Sequence, residues 1–151
     1  MRKYCIAVIL VLFFTVVTSH AQDLTETEVV ETMNRAFELN KAEKYDEALE
    51  AFLLVGKNTE KQRAEEERQV YVCSQIMVAM CCELTGKYEE GYLLAKKLLQ
   101  GKLTDEEKEN AAYQYVLNGF MLAASYMRIN DGQLGKAREL FTELLPYADE
   151  D

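Results

Sequence analysis

The sequence predicts an all-α fold of about six helices arranged as antiparallel pairs. Three observations carry that prediction. Apolar residues recur three and four positions apart with charge on the other side, and no apolar/polar alternation lasts long enough for a strand. The one proline, Pro146, falls near the end, so nothing breaks the long helical stretches before it. A phrase also recurs: EKYDEALEAF at 43–52, GKYEEGYLLA at 86–95 and, more loosely, GQLGKARELF at 132–141.

The helices begin after a segment of a different kind. Arg2 and Lys3 make a positive start, 4–17 is an almost unbroken apolar run of 14 residues, and Thr18-Ser19-His20-Ala21 supplies small residues ahead of polar Gln22-Asp23. That is the order of a secretory signal peptide, in a run shorter than the roughly 20 residues that span a bilayer. We expect 1–21 to be cleaved after Ala21, leaving a domain over 22–151 and no stable membrane insertion. An uncleaved anchor is the competing reading. Export follows, with the periplasm favoured over the extracellular space.

Cleavage changes the composition. The remaining 130 residues carry 15 Lys and Arg against 26 Asp and Glu, a net charge of −11. Such a surface repels phosphate backbones and anionic lipid, so no nucleic acid is expected as partner. His20 is the single histidine, and it leaves with the segment. The mature chain then has no imidazole for a Ser-His-Asp or Cys-His mechanism or for a metal. No glycine-rich phosphate loop or nucleophile elbow is present. No catalytic residue, cofactor or metal is expected, and the chain reads as a non-enzyme.

Three cysteines remain, Cys73, Cys81 and Cys82, all in one helical stretch. A rise of about 1.5 Å per residue separates Cys73 from Cys81 by about 12 Å, too far for a disulfide, and adjacent Cys81 and Cys82 point apart. They read as small buried apolar residues, with intermolecular or redox use as the alternative.

Helix boundaries are marked in order. Thr25-Glu26-Thr27-Glu28 reads as a capping box, as do Thr59-Glu60-Lys61-Gln62 and Thr104-Asp105-Glu106-Glu107. Each opens a long helix, over 25–41, 60–85 and 105–129, and a tight turn leads to a shorter one, over 44–56, 88–100 and 134–145. Gly86 and the Asp131-Gly132 pair serve the second and third turns, while the first, NKAEKY, uses Asn40 and lacks a glycine. Gly56, Gly101 and Pro146 are expected to end the three short helices. Gly119, inside the third long helix, is expected to admit another helix at close range.

The echoes align as Tyr45-x-x-Ala48-x-x-x-Phe52, Tyr88-x-x-Gly91-x-x-x-Ala95 and Leu134-x-x-Ala137-x-x-x-Phe141, with starts 43 and 46 residues apart. A large residue at the turn fills the gap between paired helices, a small one lets them approach, and a further residue fills the seam with the next pair. Ala36, Ala79 and Ala124 occupy the matching small slot upstream.

These motifs resemble the tetratricopeptide repeat, an antiparallel helix pair that stacks into an α-solenoid. The likeness covers most of 25–145 as three divergent units, 25–58, 59–102 and 104–146. It departs from the family in a period longer than about 34 residues. It also has Thr32 and Gln75 where a bulky aromatic is usual, a slot that only Phe120 fills in the third unit. A plain six-helix bundle with a structural role is the alternative; the two differ in whether long helices of successive units pack on each other.

The resemblance implies a concave groove, lined by the long helices, that takes a peptide or protein segment. Carried across residue by residue, the groove falls on Met33, Phe37 and Asn40, on Ile76, Met80 and Glu83, and on Asn118, Met121, Ser125 and Arg128. A Met-rich strip with few polar contacts suits an adaptable peptide site, though Met and aromatic residues at this spacing also fit plain core. Tyr113, Tyr115 and Tyr126 fit either a recognition patch or packing against the paired helix. Glu65-Glu66-Glu67, interleaved with basic residues, reads as a solvated face. The expectation is a non-enzymatic interaction module, with a homodimer through an uncapped C-terminal end as one arrangement. The alternative is the sensor region of a larger cell-envelope signalling protein.

Overall fold

The computed structural model describes residues 23–60, 65–128 and 133–148. Among these residues there are six helices: α1 (Glu26–Lys41), α2 (Tyr45–Thr59), α3 (Glu65–Leu84), α4 (Tyr88–Leu99), α5 (Asp105–Arg128) and α6 (Leu134–Ala148). No strand occurs among the described residues. The 1–21 segment, Gln62 of the second capping box and the Asp131-Gly132 turn lie outside them. No helix described is long and apolar enough to cross a membrane.

Two capping boxes form within the described residues. Glu28 N–H donates to Thr25 Oγ1 at 3.3 Å and Thr25 N–H to Glu28 Oε2 at 2.8 Å. At α5, Glu107 N–H donates to Thr104 Oγ1 at 3.2 Å and Thr104 N–H to Glu107 Oε2 at 2.8 Å. Thr59 does otherwise. It is the last residue of α2, and its buried hydroxyl donates back to the Val55 carbonyl at 2.9 Å. A Thr can cap the helix after it or back-bond into the helix before it, and burial favours the second here.

The first two turns are one turn built twice. Glu43 and Lys44 N–H donate to the Asn40 and Leu39 carbonyls; 43 residues on, Gly86 and Lys87 donate to Glu83 and Cys82. This is the Schellman pattern, which needs a left-handed residue just past the helix. Gly86 supplies it at φ 77°, whereas the first turn forces Glu43 to φ 59°.

Each helix packs on its neighbour in sequence, and α3 also packs on α5. One core cluster joins α1, α2 and α3 through Ala36, Ala48, Leu49, Phe52, Val78, Cys81 and Cys82, with the Phe37 ring edge-on to Phe52 at 5.3 Å. A second joins α3 to α6 around Tyr92, Tyr115, Leu122 and Leu144. The small slots Ala36, Ala48, Ala79, Gly91 and Ala137 are all buried, as is Ala95 in the seam position. In the third unit the pattern slips: Ala123 is buried and Ala124 only half so, and Leu134, expected to plug the turn, is 67% exposed.

Two expected helix stops fall inside helices. Gly56 is buried within α2, where an added Cβ would stand 2.0 Å from Gln75 Nε2 on α3. It is a close-approach glycine, and α2 runs on to Thr59. Pro146 sits within the last turn of α6. There it removes a single backbone donor, with two helical residues following, so α6 continues past it. Gly119 behaves as expected: its Cβ would lie 2.8 Å from both Leu144 methyls of α6 and 3.2 Å from Tyr92 Cδ2 of α4.

Candidate binding face

Positions 33, 37 and 40 of α1, 76, 80 and 83 of α3, and 121, 125 and 128 of α5 each span seven residues, so each trio forms one stripe down its helix. Met33, Phe37, Asn40, Ile76, Met80, Glu83, Met121 and Ser125 are half-buried, and Arg128 is exposed. Half-burial is what a side chain shows when its base packs on a core and its tip faces water. Met33 and Phe37 do so against the first cluster.

Asn118 does not belong to this strip. It is 0% exposed, and its amide donates to the Ala79 carbonyl of α3 at 3.1 Å and the Gln114 carbonyl at 3.0 Å. An asparagine at groove spacing and one at a helix junction look alike in sequence; the junction is the position occupied here. Its Oδ1 is buried without a donor, against the space where Gly91 has no side chain.

Cys73 enters the strip instead. It is exposed, while Cys81 and Cys82 are buried, and no disulfide links the three. Its position, three, seven and ten residues ahead of Ile76, Met80 and Glu83, puts it on their stripe of α3. Partial desolvation and the Glu107 carboxylate raise its pKa above that of an ordinary thiol, so it ionises less readily. The thiol is reachable without being activated. Burial pushes Cys81 and Cys82 further, up to about 11.

Two polar clamps tie α5 to its neighbours, one to α3 and one to α4 and α6. Arg68 of α3 donates from Nη1 and Nη2 to the two carboxylate oxygens of Glu107 at 3.0 and 3.2 Å, from Nη1 to the Lys102 carbonyl at 3.1 Å, and from Nε to Glu65 at 3.0 Å. Glu107 is the same carboxylate that caps α5. Burial works to raise it, and the Thr104 N–H and the Arg68 guanidinium overcome that and hold it below the usual carboxylate range. This fork fixes the start of α5 to α3.

The second clamp was not foreseen from sequence. Tyr115 stacks on Tyr92 with centroids 5.1 Å apart, and its hydroxyl donates to Glu143 Oε1 of α6 at 2.7 Å; Lys96 of α4 reaches the same oxygen. Lys96 and Tyr115 hold the Glu143 carboxyl below its ordinary range. Burial and the neighbouring carboxylate push the Tyr115 phenol far up, so it stays a donor. A packing reading of Tyr115 is therefore correct, except that its hydroxyl is bonded to a carboxylate. Tyr113 is exposed, and Tyr126 lies under Lys136 with the ammonium 5.7 Å from its ring.

Among the described residues no three His, Cys, Asp or Glu side chains gather as metal ligands. Clefts occur around α6: one of about 230 Å³ between α4, α5 and α6, and one of about 160 Å³ beside the Tyr115–Glu143 clamp. Neither includes the α1, α3 and α5 strip. The strip offers soft apolar contact, one thiol and two opposite charges at its end, Glu83 and Arg128. No family model, curated protein or solved structure matches this chain.

Proposed function

We propose that this chain is a non-enzymatic interaction module, exported by its N-terminal segment, that binds a peptide or protein segment along α1, α3 and α5. The observation that carries the reading is the half-exposed strip of Met33, Phe37, Ile76, Met80 and Met121, with Cys73 and Arg128 beside it. Methionines there can repack around different side chains, which suits a segment-binding surface. The repeated Schellman turn and the packing of α3 on α5 support a tetratricopeptide-like stack over a plain six-helix bundle, whereas α1 and α3, the first pair of long helices, make no comparable contact. The net charge of −11 on residues 22–151 favours a partner with basic residues flanking its apolar anchors.

Panning a displayed peptide library against the protein and against its Met80→Glu/Met121→Glu variant tests the reading. The expected result is a set of apolar peptides enriched on the first and lost on the second, with helix content unchanged by circular dichroism. Equal enrichment of the same peptides on both would move the function off this strip.

A further inference from the structure

The end of the stack made by α5 and α6 carries an apolar face that nothing else in the described residues covers. On α5, Tyr113, Phe120 and Met127 recur every seven residues and are exposed. On α6, Leu134 and Leu145 are exposed, and Phe141 between them meets Phe120 with ring centroids 5.6 Å apart. That contact joins two stripes into one surface. Five of the eleven large apolar side chains exposed among the described residues gather on it, the kind of clustering that marks an interaction surface.

Charge on this face has a direction. Asp105 and Glu109 of α5 line the same cleft, of about 900 Å³, as Tyr113 and Tyr147, so the start of α5 lies beside the end of α6. Asp105, Glu106 and Glu109 make that end acidic, with Lys108 the one cation among them. At the other end, where Lys136 covers Tyr126, stand the exposed Arg128 and Arg138. Taking Phe120 and Phe141 as level, a rise of about 1.5 Å per residue puts Arg138 about 4.5 Å to one side and Glu109 about 16 Å to the other. Their midpoint falls level with Leu145. A second copy, turned about a two-fold axis there, sets Arg138 of each chain towards Glu109 of the other. A two-fold interface must be complementary to itself, and a face with an apolar middle, one acidic end and one basic end meets that condition.

We propose that the chain pairs with a second copy of itself through the α5–α6 face, with the axis between α5 and α6 at the level of Leu145 and Arg138–Glu109 pairs across it. Apolar contact supplies the affinity, and the end charges set the antiparallel register. The test is sedimentation equilibrium on the chain expressed from its own first codon and purified as processed. The expected result is a dimer; loss of dimer in Leu145→Asp; at least ~10-fold weaker association in Arg138→Glu and in Glu109→Arg; and recovery in the double variant carrying both reversals. Leu145 is 57% exposed, so its replacement leaves the fold intact, and circular dichroism verifies that. A wild-type monomer at about 100 µM, well above the Kd of ordinary stable dimers, overturns the proposal and leaves the face to a different protein. A dimer indifferent to Leu145→Asp and to both reversals overturns it equally.

Discussion

A Cβ placed on Gly91 would stand 2.2 Å from Oδ1 of Asn118 and 2.9 Å from Cβ of Cys82. Helix α4 thus meets α3 and α5 at a point where it carries no side chain, and the buried Asn118 amide, bonded to the Ala79 carbonyl, bridges the other two. Asn118 is fully enclosed and has no room to swing away. Gly91→Ala should therefore cost ~1–3 kcal/mol as overpacking. The better helix propensity of Ala returns at most ~1 kcal/mol of it. Gly135 of α6, with nothing within 4 Å of its Cβ position, is the control. Gly135→Ala should stabilise by ~0.5–1 kcal/mol. Opposite shifts in denaturant midpoint are expected, and shifts of the same sign would contradict the junction described.

Gly119 differs in what it faces. Its Cβ would meet the ends of the Leu144 side chain, which can move where the Asn118 amide cannot. Gly119→Leu should still lose ~1–3 kcal/mol, as overpacking between α5 and α6 does. Combined with Leu144→Ala, which opens the same space, the loss should be smaller than the sum of the two singles. Additive losses would mean that α6 does not cross at this residue.

The strain at Glu43 yields a prediction of the other sign. At φ 59° it occupies the position that Gly86 fills in the second unit. A left-handed non-glycine residue costs roughly 1–2 kcal/mol, and glycine recovers this less its own greater chain entropy. Glu43→Gly should raise stability by up to ~1 kcal/mol, while Gly86→Glu should lower it by about as much or more. Both are read from urea midpoints, and a destabilised Glu43→Gly would refute the equivalence of the two turns.

Glu143 predicts a pH dependence. Its carboxyl is held low by the Lys96 ammonium and the Tyr115 hydroxyl. A carboxylate depressed in the folded state contributes stability that is complete above its unfolded value of about 4.3 and fades as pH falls through the folded one. The gap in melting midpoint between wild type and Glu143→Gln should be constant above about pH 5 and close towards pH 3. Glu143 is 41% exposed, so screening limits the gap, which should shrink further in salt. A gap that widens on acidification would assign the clamp another role.

The helices were legible because period and caps act locally. The 3–4 spacing placed all six, and Thr25 and Thr104 marked two starts to within a residue. What misled were residues with two physical uses. A glycine ends a helix or lets another pass, and Gly56 does the second because Gln75 fills the space beside it. A threonine caps forward or bonds back, and the buried Thr59 bonds back. Asn118 has groove spacing and lies in a junction. The Tyr115–Glu143–Lys96 clamp joins three helices through residues 28 and 47 positions apart, which no local pattern announces.

The three thiols divide in a way that chemistry can read. Cys73 is exposed and Cys81 and Cys82 are buried. Burial also pushes the latter two up to about 11, so at pH 8 they stay thiols and not the thiolate that attacks a disulfide reagent. Cys73, though raised by partial desolvation and Glu107, is open to solvent. Titration of the folded protein with a chromogenic disulfide should therefore release one equivalent promptly, and three in denaturant once the N-terminal segment and Cys5 are gone. Cys73→Ser should abolish the prompt equivalent alone. Because Cys73 shares the α3 stripe with Ile76 and Met80, a bulky adduct on it should also lower the capture of the apolar peptides selected above. Unaltered capture by the adduct would separate Cys73 from the binding strip, and prompt reaction of all three thiols would contradict the packing of α3.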